Sequence, residues 1–149
     1  THSDSSAASD VYKRQMLNFL FFLILFPSGS SSDININIEG IEELKGSMFI
    51  AVFDDPVSFP EFGKQYREMV LPVRSKELSH TFNDLPNNTY AVAVFHDIND
   101  NGILDKNALG IPLEPYGFSR NARARFSAPA FEDAKIELKN NLEIQINIQ

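Results

Sequence analysis

Residues 34–38 read Ile-Asn-Ile-Asn-Ile, and residues 144–148, near the other end of the chain, read Ile-Gln-Ile-Asn-Ile. Successive side chains of a β-strand point to opposite faces of a sheet. The alternation therefore predicts two strands that each bury one face and expose the other to water. Such strands suit the outer positions of two packed sheets. We expect one of them near each end of the folded domain.

Two further stretches, residues 46–53 and 89–96, carry apolar side chains at odd and even positions alike. This pattern indicates central strands covered on both sides, or a pair of strands whose outer face is hidden by a loop. Weaker strand patterns occur at residues 69–73, 77–82 and 134–138.

Residues 58–67 are the one stretch that hints at a helix. Ser58 and Glu61 have the spacing of a capping box, but Gly63 disfavours a helix, so we expect a short helix or an irregular loop. Seven short strands without strand–helix alternation predict an all-β fold, a single antiparallel β-sandwich over residues 33–149.

The beginning of the chain differs from the rest. Met16 opens an apolar run, residues 17–26, that only Asn18 interrupts, and small residues follow. The run is shorter than the roughly 20 apolar residues of a membrane-spanning helix, so residues 16–32 are predicted to be a cleaved signal peptide. Residues 1–15 are predicted to be a non-native or disordered leader. We expect a periplasmic or extracellular protein without a stable membrane span after cleavage.

Charge and cysteine content exclude some functions. The chain has no cysteine, so disulfides and thiolate metal sites are excluded. The net charge of −7 comes from residues 33–149, because two acids and two bases balance before them. An acidic domain is a poor partner for nucleic acid, and we expect none.

The strongest local motif is the stretch Asp97-Ile-Asn-Asp-Asn-Gly-Ile-Leu-Asp105. Calcium loops place side-chain oxygens at positions 1, 3, 5 and 9, a glycine at 6 and a backbone carbonyl at 7. The predicted calcium ligands are therefore Asp97, Asn99, Asn101, Ile103 and Asp105. Position 12 is Ala108 rather than glutamate, so Glu114, another distant acid or water would complete a weak site. The alternative is a plain turn, because Asn, Asp and Gly also favour turns.

Other candidate site residues lie on strands and in one long segment. His80 and His96 fall on predicted strands, and His96 shares a face with apolar residues, which favours a structural histidine over a catalytic or zinc-binding one. The segment from Leu109 to Phe131 has little periodicity and is rich in aromatic residues and arginine. Its candidate binding residues are Tyr116, Phe118, Arg120, Arg123 and Arg125. The alternative is a flap whose aromatic side chains close one end of the core.

Three runs carry a resemblance to a known family. They are Val92-Ala-Val-Phe-His-Asp97, Leu109-Gly-Ile-Pro-Leu-Glu-Pro-Tyr-Gly-Phe-Ser119 and Pro129-Ala-Phe-Glu-Asp-Ala134. Together they resemble the uncharacterised bacterial domain-of-unknown-function family 2141. The resemblance implies an exported, prealbumin-like or immunoglobulin-like sandwich and supplies no catalytic residues. A looser similarity to transthyretin-like and carboxypeptidase-regulatory-like modules implies that Tyr90 ties its strand to the preceding corner.

Three functions remain open at this point. The first is a non-enzymatic binding or structural accessory module with a weak calcium loop, whose partner is a protein, a glycan or a small ligand. The second is a small-molecule carrier with a pocket under the segment from residue 109 to 131. The third is a hydrolase centred on His96 and Asp97, although no catalytic constellation is recognisable and we expect no enzyme.

Overall fold

The computed structural model describes residues 29–125 and 127–149. The predicted leader, residues 1–15, and most of the predicted signal peptide, residues 16–32, lie outside the described residues. The first strand begins at Ser31, two residues before the predicted start of the domain.

Eight strands form two sheets in the described part of the chain. They are β1 (Ser31–Glu39), β2 (Ser47–Phe53), β3 (Arg67–Pro72), β4 (Leu78–Pro86), β5 (Thr89–Asp97), β6 (Tyr116–Phe118), β7 (Ile136–Glu137) and β8 (Leu142–Asn147). A 3₁₀ turn spans Ser119–Asn121, and a short helix α1 spans Phe131–Ala134. No helix in these ranges is long and apolar enough to cross a membrane.

The smaller sheet has the order β4-β1-β8. Strand β1 is antiparallel to β4 and parallel to β8, with Ile36 opposite both His80 and Ile144. The sheets are therefore not purely antiparallel as the strand pattern predicted. The physical reason is the route of the chain. Strand β7 pairs with β5 in the other sheet, so the chain crosses between the sheets before β8 and enters beside β1 in the same direction.

The larger sheet has the order β3-β2-β5-β6, with β7 also paired to β5. Strands β2 and β5, the two stretches that are apolar on both faces, occupy its centre. Eight of the nine residues of β5 are buried, and Thr89 is the exception. The prediction that these two strands are central and covered on both sides is confirmed.

The main core lies between the two sheets and is built from alternating strand positions. Its fully buried members include Ile34, Ile36 and Ile38 of β1, Met48, Ile50 and Val52 of β2, Tyr90, Val92 and Val94 of β5, and Ile146 of β8. The intervening residues of β1, such as Asn35, face outward and bond to Ser79 of β4. The period-two pattern thus predicts correctly which face of β1 is buried, and the all-β class is confirmed.

Tyr90 closes the corner between β4 and β5. Its side chain is 1% exposed, and its hydroxyl donates a hydrogen bond of 2.8 Å to the backbone carbonyl of Pro86. Burial raises the pKa of Tyr90, so the hydroxyl stays protonated and able to donate. The predicted corner is present.

A second, smaller core covers the outer face of the larger sheet. Phe53, Ala91 and Ala93 of the sheet pack beneath Phe118, Phe131 and Ala134. Phe59 completes this cover, with its ring centroid 5.4 Å from that of Phe53 and 5.8 Å from those of Phe118 and Phe131. Phe59 belongs to residues 54–66, which form an irregular loop without a helix. Of the two structures expected there, the loop is the one observed.

Candidate functional site

The loop after β5 is organised around the carboxylate of Asp97. This side chain is 1% exposed, and its two oxygens accept the backbone N–H groups of Asn101 at 3.1 Å and Gly102 at 2.7 Å. Asp100 and Gly102 adopt positive φ angles of 57° and 80°, which turn these N–H groups inward. Backbone N–H groups of the loop that follows thereby hydrogen-bond both oxygens of this buried side chain.

Two asparagines carry the same arrangement further along the loop. The side-chain oxygen of Asn99 accepts the N–H of Asn101 at 3.0 Å, and that of Asn101 accepts the N–H of Ile103 at 2.9 Å. Their amide nitrogens both donate to the carboxylate of Asp105, at 2.7 Å from Asn99 and 3.1 Å from Asn101. The predicted ligands at positions 1, 3, 5 and 9 therefore lie together in one loop.

Glu114 fastens the two ends of this loop. Its side chain is 7% exposed, and its oxygens accept the N–H of Ile98 at 2.9 Å and the N–H of Asp105 at 3.1 Å. Glu114, which the sequence offered as a substitute for the acid missing at position 108, is thus attached to the loop through its backbone.

Hydrogen bonds within the protein connect the side chains of this loop to its backbone and to one another. Within residues 29–125 and 127–149, no three side chains of His, Cys, Asp or Glu are arranged as a metal site. A cation would have to displace the amide nitrogens of Asn99 and Asn101 from Asp105 and recruit the amide oxygens. The residue types suit calcium, which prefers neutral and anionic oxygens, but binding competes with a network that is already satisfied.

The two histidines have different surroundings. His96 is fully buried in the core between the sheets, and its Nε2 donates to the carbonyl of Lys45 at 2.7 Å. Its Nδ1 is buried without a hydrogen-bond partner among the described residues. His80 lies on β4 with its ring edge-on to Phe82, and burial lowers its pKa. The burial of His96 argues against a hydrolytic role, because substrate would have no access to the ring.

The segment from residue 109 to 131 divides into two parts. The first part begins with a turn. Asn107, just before the segment, closes this turn because its side-chain oxygen accepts hydrogen bonds from the N–H groups of Leu109 and Ile111. Leu109, Ile111 and Leu113 are 84%, 55% and 67% exposed. The second part contains β6 and the 3₁₀ turn and ends where α1 begins, and its Tyr116, Phe118 and Phe131 side chains pack against the larger sheet.

A cleft of about 230 Å³ opens beside this second part of the segment. One wall is formed by residues 116–118, and residues 121–124 form another. Ser127, Pro129, and Asn147 and Gln149 at the end of β8 and just beyond it, complete the lining. The cleft therefore lies where the two sheets meet, and residues far apart in the chain contribute to it.

The predicted binding residues occupy different positions around this cleft. Tyr116 is half-buried and lines it, whereas Phe118 is 7% exposed and offers only part of its ring. Arg123 is exposed and lines the cleft. Arg120 and Arg125 are exposed and stand outside the lining.

The backbone next to the cleft takes an uncommon path. Arg120 and Asn121 have φ angles of 60° and 51°, two successive residues in the left-handed region. The side-chain oxygen of Asn121 accepts the N–H of Asn147 at 2.8 Å, which ties the turn to β8. Sequence reasoning missed Asn121, Asn147 and Gln149. The one local signal is that asparagine tolerates positive φ better than most residues.

Comparison with known proteins gives one match. No curated protein and no solved structure matches the chain. Residues 36–145 match the family described as "Uncharacterized protein conserved in bacteria (DUF2141)". The matched range runs from within β1 to within β8 and includes strands of both sheets, the Asp97–Asp105 loop and most of the residues that line the cleft. The chain belongs to this family of bacterial proteins.

Proposed function

We propose that this protein is an exported, non-enzymatic binding module of the bacterial envelope or exterior, which holds a ligand in the cleft beside residues 116–124. The observation that carries the proposal is the cleft itself. It combines a half-buried aromatic side chain, amide side chains and one arginine beside packed strands of both sheets. A few polar groups on a largely pre-formed concave surface are typical of ligand sites.

The Asp97–Asp105 loop has a supporting role in this proposal. Calcium bound weakly by Asp97, Asn99, Asn101, Asp105 and the carbonyl of Ile103, with Glu114 close by, would stiffen the connection between β5 and β6. Since β6 begins at Tyr116, two residues after Glu114, a stiffer loop would also hold the aromatic wall of the cleft in place.

Export is proposed from sequence features. The apolar run after Met16 and the small residues that follow it have the order of a signal peptide. Sequencing the amino terminus of the protein recovered from the periplasm or medium tests this part. A mature protein that begins close to Ser32 is expected, and a chain retained in the cytoplasm with Met16 intact would contradict it.

A small-molecule carrier is the second candidate, and the position of the cleft under the predicted segment favours it over the hydrolase. The inner faces of the sheets are occupied by isoleucine, valine and methionine side chains, so a carried ligand would sit in the cleft rather than between the sheets. A carrier and an adhesive module differ in whether the ligand is a free small molecule or part of a larger polymer.

The binding proposal can be tested by mapping ligands on the protein surface. Envelope glycan and peptide fractions are titrated into ¹⁵N-labelled protein, and amide shifts are expected at residues 116–124 and around Asn147. A Leu109→Ser variant, altered on the exposed turn outside the cleft, is expected to respond like the parent. Shifts confined to that turn, or no shifts with any fraction, would contradict the proposal.

A further inference from the structure

We infer that the cleft recognises a small carboxylate-bearing sugar, such as a uronic acid residue, with Arg123 binding the carboxylate. This inference rests on the proposed function and specifies the ligand class for the same cleft. Four features of the site carry it: the charge of Arg123, the amide of Asn121, the shape of the turn that holds Asn121 and precedes Arg123, and the size of the cleft.

The first feature is charge. Arg123 is the one charged side chain among the residues that line the cleft, and no aspartate or glutamate lines it. Lys45, Lys64, Lys135 and Lys139 each pair with a glutamate, whereas Arg123 has no acidic partner within residues 29–125 and 127–149. In a domain with a net charge of −7, an arginine beside a cleft with no aspartate or glutamate in its lining is suited to a carboxylate brought by a ligand.

The second feature is the amide of Asn121. Its oxygen is occupied by the N–H of Asn147, so its Nδ2 group is left as a donor without a partner in residues 29–125 and 127–149. The oxygen of a sugar hydroxyl group can accept a hydrogen bond from such an N–H donor. Tyr116 adds an aromatic surface that is half-buried and polar at its tip.

The third feature is pre-organisation. Arg120 and Asn121 both adopt left-handed backbone conformations, which are uncommon outside glycine and collect at ligand sites. The turn is fixed on one side by Asn121 bonding to β8 and on the other by the buried hydroxyl of Ser119. Arg123 follows this turn by two residues, so the backbone that leads up to it is fixed by hydrogen bonds within the protein.

The fourth feature distinguishes the class of anion. A cleft of about 230 Å³ is smaller than the sites of drug-sized ligands, which favours one sugar-sized group. A phosphate monoester carries a charge of about −1.5 to −2 at neutral pH, more than one arginine neutralises. A carboxylate carries a single charge in a plane that matches the guanidinium fork.

Titration of the full chain with three probes tests the inference, with amide shifts followed by NMR. The probes are galacturonate, the neutral sugar galactose and inorganic phosphate. Galacturonate is expected to shift the amides of Gly117, Ala122 and Arg123. Galactose is expected to bind at least about ten-fold more weakly, because it lacks the charge-assisted hydrogen bonds.

Two variants complete the experiment. Arg123→Gln is expected to weaken galacturonate binding at least about ten-fold, whereas Arg74→Gln, an equal change of net charge at an exposed arginine outside the cleft, is expected to leave it unchanged. Equal binding of galactose and galacturonate, or undiminished binding by Arg123→Gln, overturns the carboxylate inference and leaves the cleft as a site for neutral ligands. Tighter binding of phosphate than of galacturonate also overturns it. Absence of shifts in the cleft with galacturonate overturns the inference, and the mapping with envelope fractions then decides separately whether the cleft binds anything.

Discussion

The hydroxyl of Ser119 hydrogen-bonds to the backbone of Val92, on the side of β5 where neither β6 nor β7 pairs with this residue. Strand β6 pairs with residues 93–95 of β5, and β7 pairs with residues 89 and 90, which leaves a gap between them. Ser119 fills this gap by accepting the N–H of Val92 at 2.9 Å and donating to the carbonyl of Ala134 at 2.5 Å. One fully buried side chain thereby joins the larger sheet, the 3₁₀ turn and α1.

We therefore expect Ser119→Ala to lower the free energy of unfolding by about 1–3 kcal/mol, because the N–H of Val92 would remain buried without an acceptor. Ser127→Ala is the matched control, since Ser127 is exposed and its hydroxyl donates to the carbonyl of its neighbour Ala128, and it should change stability by less than about 0.5 kcal/mol. Urea unfolding followed by circular dichroism gives both values. Equal midpoints for the two variants would contradict the bridging role.

Gly46 lies against the end of β5. It has a φ of +69°, and a Cβ atom there would come within 2.0 Å of the carbonyl oxygen of Asp97. Gly46→Ala should therefore cost at least about 3 kcal/mol, since both the backbone conformation and the contact are unfavourable. Gly63→Ala separates the two effects, because Gly63 has a φ of +91° with no atom within 4 Å of a new Cβ. Its expected cost is about 1–2 kcal/mol, from backbone strain alone. A similar cost for both variants, measured by denaturant unfolding, would show that the contact with Asp97 is unimportant.

Calcium should raise the melting temperature if the Asp97–Asp105 loop binds it. At a free concentration 100 times Kd, the ion would add about 2.7 kcal/mol to the free energy of unfolding. Asp105→Asn keeps the shape of the side chain but removes a carboxylate, so its melting temperature should respond much less. Thermal unfolding with and without millimolar calcium is the measurement, with magnesium as the control ion. If calcium leaves the melting temperature of the parent protein unchanged, the calcium prediction is wrong and the loop is a plain turn held by its own hydrogen bonds.

The stability of the protein should depend weakly on pH through His80. Burial lowers the pKa of His80 below the ordinary 6.5, so the unfolded chain binds a proton more readily than the folded protein between the two pKa values. The free energy of unfolding then falls as the pH drops through 6.5 and levels off below the folded pKa. Relative to His80→Gln, the parent should therefore be less stable at about pH 5.5 than at about pH 7.5, by a small amount because the ring is only partly buried. His96 is present in both proteins and cancels. An identical pH dependence for the two would contradict the assignment.

Local patterns were sufficient for much of the fold. The alternation in residues 34–38 correctly identifies the buried face of β1, and the apolar character of both faces of β2 and β5 correctly places them at the centre of a sheet. These features depend on neighbours in sequence, which a single chain displays directly. The parallel pairing of β1 with β8 depends instead on the path of the chain between two sheets, and no local pattern reports it.

The candidate site could be predicted only in part, because some of its residues are distant from one another in the sequence. The Asp97–Asp105 motif is contiguous, and Glu114 was already a candidate to complete it. The cleft is different, since Asn121 and Asn147 are 26 residues apart and meet only because β8 packs beside the 3₁₀ turn. The sequence predicted Phe118 as a binding residue, but most of its ring is buried in the second core.

The pairing of β1 with β8 also bears on when the protein can fold. Strand β1 lies in the middle of the smaller sheet and pairs with residues 142–147 on one side. A nascent chain therefore cannot complete that sheet until these late residues have been synthesised, and the long sequence separation of the contact slows its formation. If the chain is exported as proposed, this delay favours an unfolded chain during translocation and completion of the core on the far side of the membrane.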